Sequence, residues 1–402
     1  MPWREMSAVD AREAFIREYL EDIDTMTELC ERHGISRQTG YTWVARYETE
    51  GIVGLQDRSR RPHHSPTATP QAVIDALIAA RRRRPTWGPK KLLGREWQLA
   101  AQPARSTASA ILKRAGLVAK LRRRARPGHP GTPPPAVAQP NAVWTLDFKG
   151  HFRIAGQWCY PLTVIDRCTR YVLACHALPS TETGATQRLL QRVFQEYGLP
   201  ERIRSDNGVP FATAWAVARL SPLAVWWIHL GIIPELITPG CPQENGRHER
   251  FHRTLKAETA HPPAATWAAQ QQRFIRYRQT FNHERPHEAL GQRTPAEFYV
   301  PSPRPYPTTL PPLIYPADCN VRHVGASGTV TWSGRRVFVS HVLMHEDVAF
   351  RPLDDGVWAV YFGPVLLGHL DERRKPVDHI APVAARRHAA AAGVDNKLAT
   401  RS

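Results

Sequence analysis

The sequence predicts a multidomain chain with an all-α N-terminal part, a central α/β core on a mixed sheet, and a small C-terminal β-barrel of SH3-like size. Three observations predict it. Cap and turn residues punctuate helical apolar spacing through residues 11–50 and 71–118. From Asn141 the pattern changes to strand alternation interleaved with helix signals. From Val321 to Leu370 short alternating strands are separated by Gly-containing turns.

At 402 residues the chain is too long for one ordinary core. Its formal net charge is +18 and its pI about 10.1, a balance that points to nucleic acid or an anionic surface. No apolar run approaches the roughly 18 residues a membrane span needs, and Met1–Phe15 lacks the apolar heart of a signal peptide. Double-stranded DNA is therefore the expected partner, and the cytoplasm or bacterial nucleoid the expected place. The cysteines are scattered without a Cys-x-x-Cys pair, which argues against a disulfide framework and a cysteine zinc site.

The first all-α unit, 1–58, contains a helix-turn-helix pattern over Thr25–Tyr47. Thr25 or Thr27 caps one helix, Gly34 makes the turn, and Ser36 caps the second, with Val44 and Tyr47 facing inward. Arg37, Gln38 and Tyr41 then project from the N-terminal part of the recognition helix, where base edges are read, and a basic arm with Arg58, Arg60 and Arg61 follows. After a linker at 59–70, a second helix-turn-helix unit spans 71–126. Its recognition helix starts near Arg105, with Ser106 as cap and Gly116 as stop. A basic arm with Arg122, Arg123 and Arg124 closes it, suited to phosphate contacts. Residues 127–140 form a stiff Pro/Gly linker.

In the core, 141–300, Val143–Phe148 alternates so that Trp144, Leu146 and Phe148 face one way and Thr145, Asp147 and Lys149 the other. A turn at His151–Gly156, strands at Tyr160–Ile165 and Tyr171–His176, a helix at Thr181–Tyr197, and strands at Arg202–Arg204 and Ile232–Ile237 follow. The turn-rich stretch from Thr238 then becomes a helix. On it, Glu249 shares a stripe with His252, Arg253 and Lys256 by i+3, i+4 and i+7 spacing.

Three motifs now stand in order: Trp144-Thr-Leu-Asp147, Ser205-Asp206-Asn207-Gly208, and Pro242-Gln-x-Asn245-Gly246-x-x-Glu249-Arg250. Together they resemble the core of DDE transposases and retroviral-type integrases. Phe281–Leu290, Thr294–Tyr299 and the paired N-terminal units resemble the integrase-like transposases of bacterial insertion sequences. The resemblance implies a ribonuclease-H-like core with Asp147, Asp206 and Glu249 as catalytic metal ligands. It also implies Mg2+ as the cofactor, with Mn2+ as a substitute. Two ions roughly 3.5–4 Å apart activate the attacking oxygen and stabilise the leaving one in such in-line transfers, and magnesium takes oxygen ligands. Water first frees a 3′ end, and that 3′-hydroxyl then attacks target DNA. Element ends must be synapsed, so a homo-oligomer, a dimer or tetramer, is expected. Arg253 and Lys256 are expected to hold DNA beside Glu249.

Asp206 and Glu249 lie farther apart than the family pattern has them, with the extra residues in Ala212–Leu230. There Trp215, Trp226 and Trp227 read as core or lid packing. Of the other acids, Asp166 reads as a turn or ion-pair residue, Glu244 as a helix-entrance cap, and Glu258 as too far along its helix. His248 and His252 read as phosphate or solvent contacts, and Asn282, Arg285, Pro286 and His287 as helix termination and packing. Residues 301–316 form a Pro-rich linker, 317–372 the small barrel, and 373–402 a basic tail expected to be disordered. Two rival readings share the motifs: a catalytically silent, transposase-derived DNA-binding regulator, and a ribonuclease-H-like nuclease that does not join strands.

Overall fold

The computed structural model describes residues 7–59, 68–97, 99, 101–118, 137–213, 216–237, 246–373 and 379–382. It contains two compact units, Met1–Thr69 and Pro70–Ser402.

The first unit holds α1 (Ala8–Leu20), α2 (Met26–Arg32) and α3 (Arg37–Glu50) around Phe15, Ile16, Leu29, Cys30, Val44 and Leu55. Capping boxes start α1 at Ser7 and α2 at Thr25, and Ser36 accepts the Thr39 N–H to start α3. Gly34 makes the α2–α3 turn at φ +64°, where a side chain would be strained. Gly40 is needed for a different reason. A Cβ there would come within 2.6 Å of Cys30 Sγ, so only glycine lets α3 pack this closely on α2.

The second unit begins with α4 (Gln71–Arg83), α5 (Pro89–Lys91, running into a wider turn at Leu92–Glu96) and α6 (Arg105–Arg114). They enclose Leu77, Trp87, Leu92, Ile111 and Leu112. Ser106 does not cap α6: the helix begins at Arg105, after an extended Ala104, so Ser106 already lies in its first turn.

The central sheet comprises β1 (Val143–Phe148), β2 (Phe152–Ile154), β3 (Gln157–Asp166), β4 (Val172–Leu178), β5 (Arg202–Ser205) and β6 (Ile233–Leu236). β3 pairs antiparallel with β1, β2 and β4, while β1–β5 and β5–β6 are parallel. The expected turn at 151–156 thus includes a short strand of its own. Strand alternation sorts the two faces. Trp144, Leu146, Leu162 and Val164 join α7 (Thr183–Tyr197) and α8 (Pro222–His229) in one core. Cys159, Ile165 and Cys175 meet α9 (Gly246–Thr259) and α10 (Trp267–Gln279) through Phe251, Leu255, Phe274 and Tyr277 on the other. Trp226 and Trp227 are buried in the first core, as packing residues; Trp215 lies outside the described residues.

A five-stranded antiparallel sheet follows in the order β13-β12-β11-β10-β7, with β7 at Asn320–His323, β10 at Asp347–Asp354, β11 at Val357–Phe362, β12 at Val365–Asp371 and β13 at Ala381–Pro382. A hairpin of β8 (Thr329–Trp332) and β9 (Arg335–Phe338) lies beside it. Its apolar residues are continuous with the α7–α8 core, and His229 of α8 meets Glu346 at 2.9 Å. Part of the expected disordered tail is ordered. Ala381–Pro382 pairs with β12 and Ile380 is buried, because the edge of β12 offers backbone groups that a passing strand satisfies. The Pro-rich stretch after Val300 is also tied down. Arg304 donates to the carbonyls of Pro200, Leu230 and Gly231, and Gly198 (φ +77°) lets the chain pass where a Cβ would lie 2.6 Å from the Ser302 carbonyl.

Asp166 proves to be a buried turn residue. Its carboxylate accepts the N–H groups of Asn141 and Thr169 and the Thr169 hydroxyl, at 2.9, 2.7 and 2.6 Å. Asp166→Asn would set an amide NH2 against those donors, and should lower unfolding stability by about 1–3 kcal/mol, read from the shift in denaturant midpoint. An unchanged midpoint would remove Asp166 as the lock on the entry to β1.

Candidate active site and nucleic-acid-binding faces

The register of β1 against β5 positions the acidic pair. Val143, Trp144 and Thr145 lie opposite Arg202, Ile203 and Arg204. The same offset continued past the last paired residue sets Asp147 opposite Asp206, on the face that carries Thr145 and Arg204. Asp206 sits just beyond β5, with Oδ1 accepting the Gly208 N–H at 3.1 Å. A turn of this kind needs a short acceptor side chain, which Asp206 supplies.

α9 covers this face, and a polar knot docks it. Thr163, the cross-strand partner of Asp147, is fully buried. Its hydroxyl donates to the Asp147 carbonyl at 3.0 Å and lies 2.8 Å from Nε2 of both His248 and His252. The hydroxyl has one hydrogen, so both imidazoles present Nε2–H to its lone pairs. Burial pushes His248 down to about 3 and His252 down to about 2, the latter helped by His248 and Lys149, so both rings are neutral. The expectation that these histidines contact phosphate or solvent is therefore corrected: the helix turns them inward, at 3% and 5% exposure. Nδ1 of His252 lies 3.7 Å from Asp147 Oδ2.

Glu249, one residue beyond His248, points out of this knot and is exposed. It lines an open groove with Lys149, His252, Arg253, Lys256 and His261. Glu249, Arg253 and Lys256 are thus brought together. Lys149, on the Asp147 face by two-residue alternation, joins them, although nothing in the sequence marks it as a groove residue. Among the described residues, no three His, Cys, Asp or Glu side chains are gathered as a metal would hold them. Asp147, Asp206 and Glu249 fit magnesium in donor type, all being carboxylates, but they are not drawn together here: Glu249 lines its groove without Asp147 or Asp206. The approach to α9, 238–245 with Glu244, lies outside the described residues. Glu258 turns away from the groove to Arg285, at 3.3 Å. Asn282 packs as expected, pairing with both backbone groups of Val172 at 2.8 and 2.9 Å.

In the first unit, Arg37, Gln38, Tyr41 and Arg58 line one open concave surface along α3. Arg46 joins them, its guanidinium 4.5 Å from the Trp43 ring and donating to the Gln56 carbonyl. Tyr41 is 59% exposed, a large aromatic on the solvent face of α3. Arg105 is exposed at the start of α6. Arg60, Arg61, Arg122, Arg123 and Arg124 lie outside the described residues.

Comparison with known proteins agrees with this layout. Integrase core domain profiles match residues 137–242 and 230–295, a helix-turn-helix domain profile matches 11–63, and a homeodomain-like profile matches 39–112. The chain is similar to a 39.2 kDa protein of insertion element IS476 from Xanthomonas euvesicatoria, 25% identical over 68% of this chain and 78% of that one. The chain thus carries helix-turn-helix and integrase core domains in one polypeptide and is similar to proteins of insertion elements. A 31.7 kDa protein of insertion element IS407 from Burkholderia multivorans is 29% identical over 40% of this chain, which spans about 55% of that relative. Among solved structures, the catalytic core of BIV integrase is similar over 40% of this chain, with 21% identity and a TM-score of 0.30. The integrase core domain is a metal-dependent one, and no helix among the described residues is long and apolar enough to cross a membrane.

Thr163→Val would remove the shared partner of two buried imidazole N–H groups. Stability should fall by about 1–3 kcal/mol, and amide exchange in α9 should rise more than in α7. Equal exchange in the two helices would show that α9 is held by its apolar residues alone.

Proposed function

We propose that this chain is a transposase of the integrase superfamily that binds the ends of an insertion element through residues 20–126, frees their 3′ ends and joins them to target DNA through residues 141–300. Asp147, Asp206 and Glu249 are the catalytic residues, and they hold magnesium, with manganese as substitute. What supports this is the parallel β1–β5 register, Val143–Thr145 against Arg202–Arg204, whose offset carried on by two residues would set Asp147 beside Asp206 on the face covered by the helix that bears Glu249.

Each residue has a part. Asp147 is held by its pairing with Thr163 of β3, so its carboxylate starts from a fixed point. Asp206 is oriented by its turn, and Glu249 by the docking of His248 and His252 on Thr163. Bound magnesium supplies charge for the attacking and leaving oxygens of the phosphodiester. Lys149, Arg253 and Lys256 line the groove beside Glu249 and hold the DNA backbone there, placing the scissile phosphate against the carboxylates. Arg37, Gln38 and Tyr41 read base edges at the element end while Arg46, Arg58, Arg60 and Arg61 bind phosphates. Arg105, Arg122, Arg123 and Arg124 extend that grip. Two ends require at least two copies of the chain, so the working form is a dimer or tetramer. The C-terminal sheet serves binding, to DNA or a neighbouring copy, rather than chemistry.

A joining assay with element-end DNA and Mg2+ tests the catalytic assignment. Asp147→Asn, Asp206→Asn and Glu249→Gln should each lose about a hundredfold or more of joining, the scale of removing one key electrostatic group, while end binding persists. Wild type joining no better than Asp206→Asn would leave a silent DNA-binding protein, and cleavage without joining would leave a nuclease. Lys256→Ala should weaken end binding and lower the slope of log affinity against log salt by about one. An unchanged slope would take Lys256 off the DNA path.

A further inference from the structure

A second site lies on the other flank of α9. A cavity of about 390 Å3 opens between β1, the end of β3, α9, the segment after α10 and Lys91. That is the size class of a small-ligand pocket. Six cations line it: Lys91, Arg167, Arg170, Arg204, Arg250 and Arg285. The two acids in its wall are engaged elsewhere. Asp166 accepts from Asn141 and Thr169, and Glu288 pairs with Lys90 at 2.5 Å. Glu235 and Glu258 outside the wall partly offset Arg204 and Arg285, but against six cations the wall keeps an excess of positive charge in a partly dry place, Arg167 and Arg285 being 8% and 7% exposed, where an anion is favoured.

Two buried polar atoms point to a ligand. Arg204 uses Nε and one Nη on Glu235, at 3.1 and 2.8 Å, and its other Nη is buried with no partner among the described residues. His287, 7% exposed, likewise has a buried Nε2 without a partner among them. Buried polar atoms are rarely left unsatisfied. Phe251, Phe281 and Ile165 give the wall an apolar part, beside Thr145, Thr254 and His248. The crowding shows in Lys91, whose ammonium is pushed down to about 8 by burial and then by Arg285 and Arg170.

We propose that this cavity binds one nucleotide: its phosphate against Arg204, Arg250, Arg285 and Lys91, and its base against Phe251 and Phe281. The size admits a single unit, the cations match a phosphate, and the apolar wall with a free imidazole nitrogen matches a base edge. The same chemistry comes from a free nucleoside phosphate or from a nucleotide of a DNA strand turned out of its stack. Thr145 and Arg204 stand two residues before Asp147 and Asp206 on the same face. A strand bound in the Glu249 groove therefore runs close to this pocket, across α9. The site stands on its own cations and does not require the carboxylates to be catalytic.

Titration of the full chain with dAMP, which is too small to bridge the other basic faces, tests the site. Binding by wild type should weaken about tenfold or more in Lys91→Met and in Arg250→Ala, the loss of one charged contact each, and stay unchanged in Lys256→Ala. Arg250 is exposed, so its variant keeps the fold even where Lys91→Met does not. A single-stranded dodecamer that displaces dAMP from wild type assigns the pocket to a strand nucleotide; one that does not assigns it to a free nucleotide. No dAMP binding at millimolar concentration, or binding equally tight in both variants, would overturn the proposal. Asp206→Asn should bind dAMP as wild type does, so failure of the catalytic reading and failure of this one are separate results.

Discussion

The acidic end of the central sheet depends on one pairing, β1 beside β5 in parallel. Antiparallel β1–β3 pairing supplies the frame, but it is the parallel step, Val143–Thr145 against Arg202–Arg204, that directs the ends of β1 and β5, with Asp147 and Asp206, the same way. Because side chains alternate, a slip of one residue would carry Asp206 to the opposite face, into the α7–α8 core. That register is specified by burial. Ile203 is fully buried beside Trp144, and Arg204 on the other face is held by Glu235. Apolar packing on one side and an ion pair on the other fix the same alignment.

Docking of α9 is the next constraint, and it is solved with polar rather than only apolar contacts. Two histidines are neutral and converge on one threonine hydroxyl, which itself bonds the backbone of Asp147. A buried hydrogen-bonded knot is directional where an apolar patch is not. It therefore sets the rotation of α9 about its axis, and with it the direction of Glu249. Phe251 and Leu255 supply the burial; the knot supplies the angle.

Much of this was legible in the sequence, and the exceptions have physical causes. The strands of the sheet and of the C-terminal region announce themselves by two-residue alternation. The caps at Thr25 and Ser36 announce themselves by residue type. What could not be read was the sense of a polar residue on a helix of mixed character: His248 and His252 look like solvent-facing companions of Glu249 until Thr163 is found beneath them. The ordering of Ala381–Pro382 depends on an open edge of β12, a tertiary fact invisible in an Ala-rich tail. The second cavity was equally hidden, since its wall is assembled from residues between Lys91 and Ala289. Spacing along the chain carries no trace of such a convergence.

α9 finally explains why one short helix can serve two sites. Its inward stripe, His248, Phe251, His252 and Leu255, is buried and holds it to the sheet. Glu249, Arg253 and Lys256 then fall on one flank, in the open groove, while Arg250 and Thr254 fall on the other, in the cationic cavity. The separation follows from helical geometry: residues three and four apart share a flank, while neighbours in sequence diverge by about 100°. Glu249 and Arg250 are adjacent in the chain yet face different chambers. The groove combines a carboxylate with cations, the composition for holding metal and phosphate together. The cavity has its acids already spent, the composition for holding an anion alone. A change that rotated α9 would disturb both sites together. A change on either flank would disturb one, and the two flanks are therefore separable by substitution even though a single helix carries them.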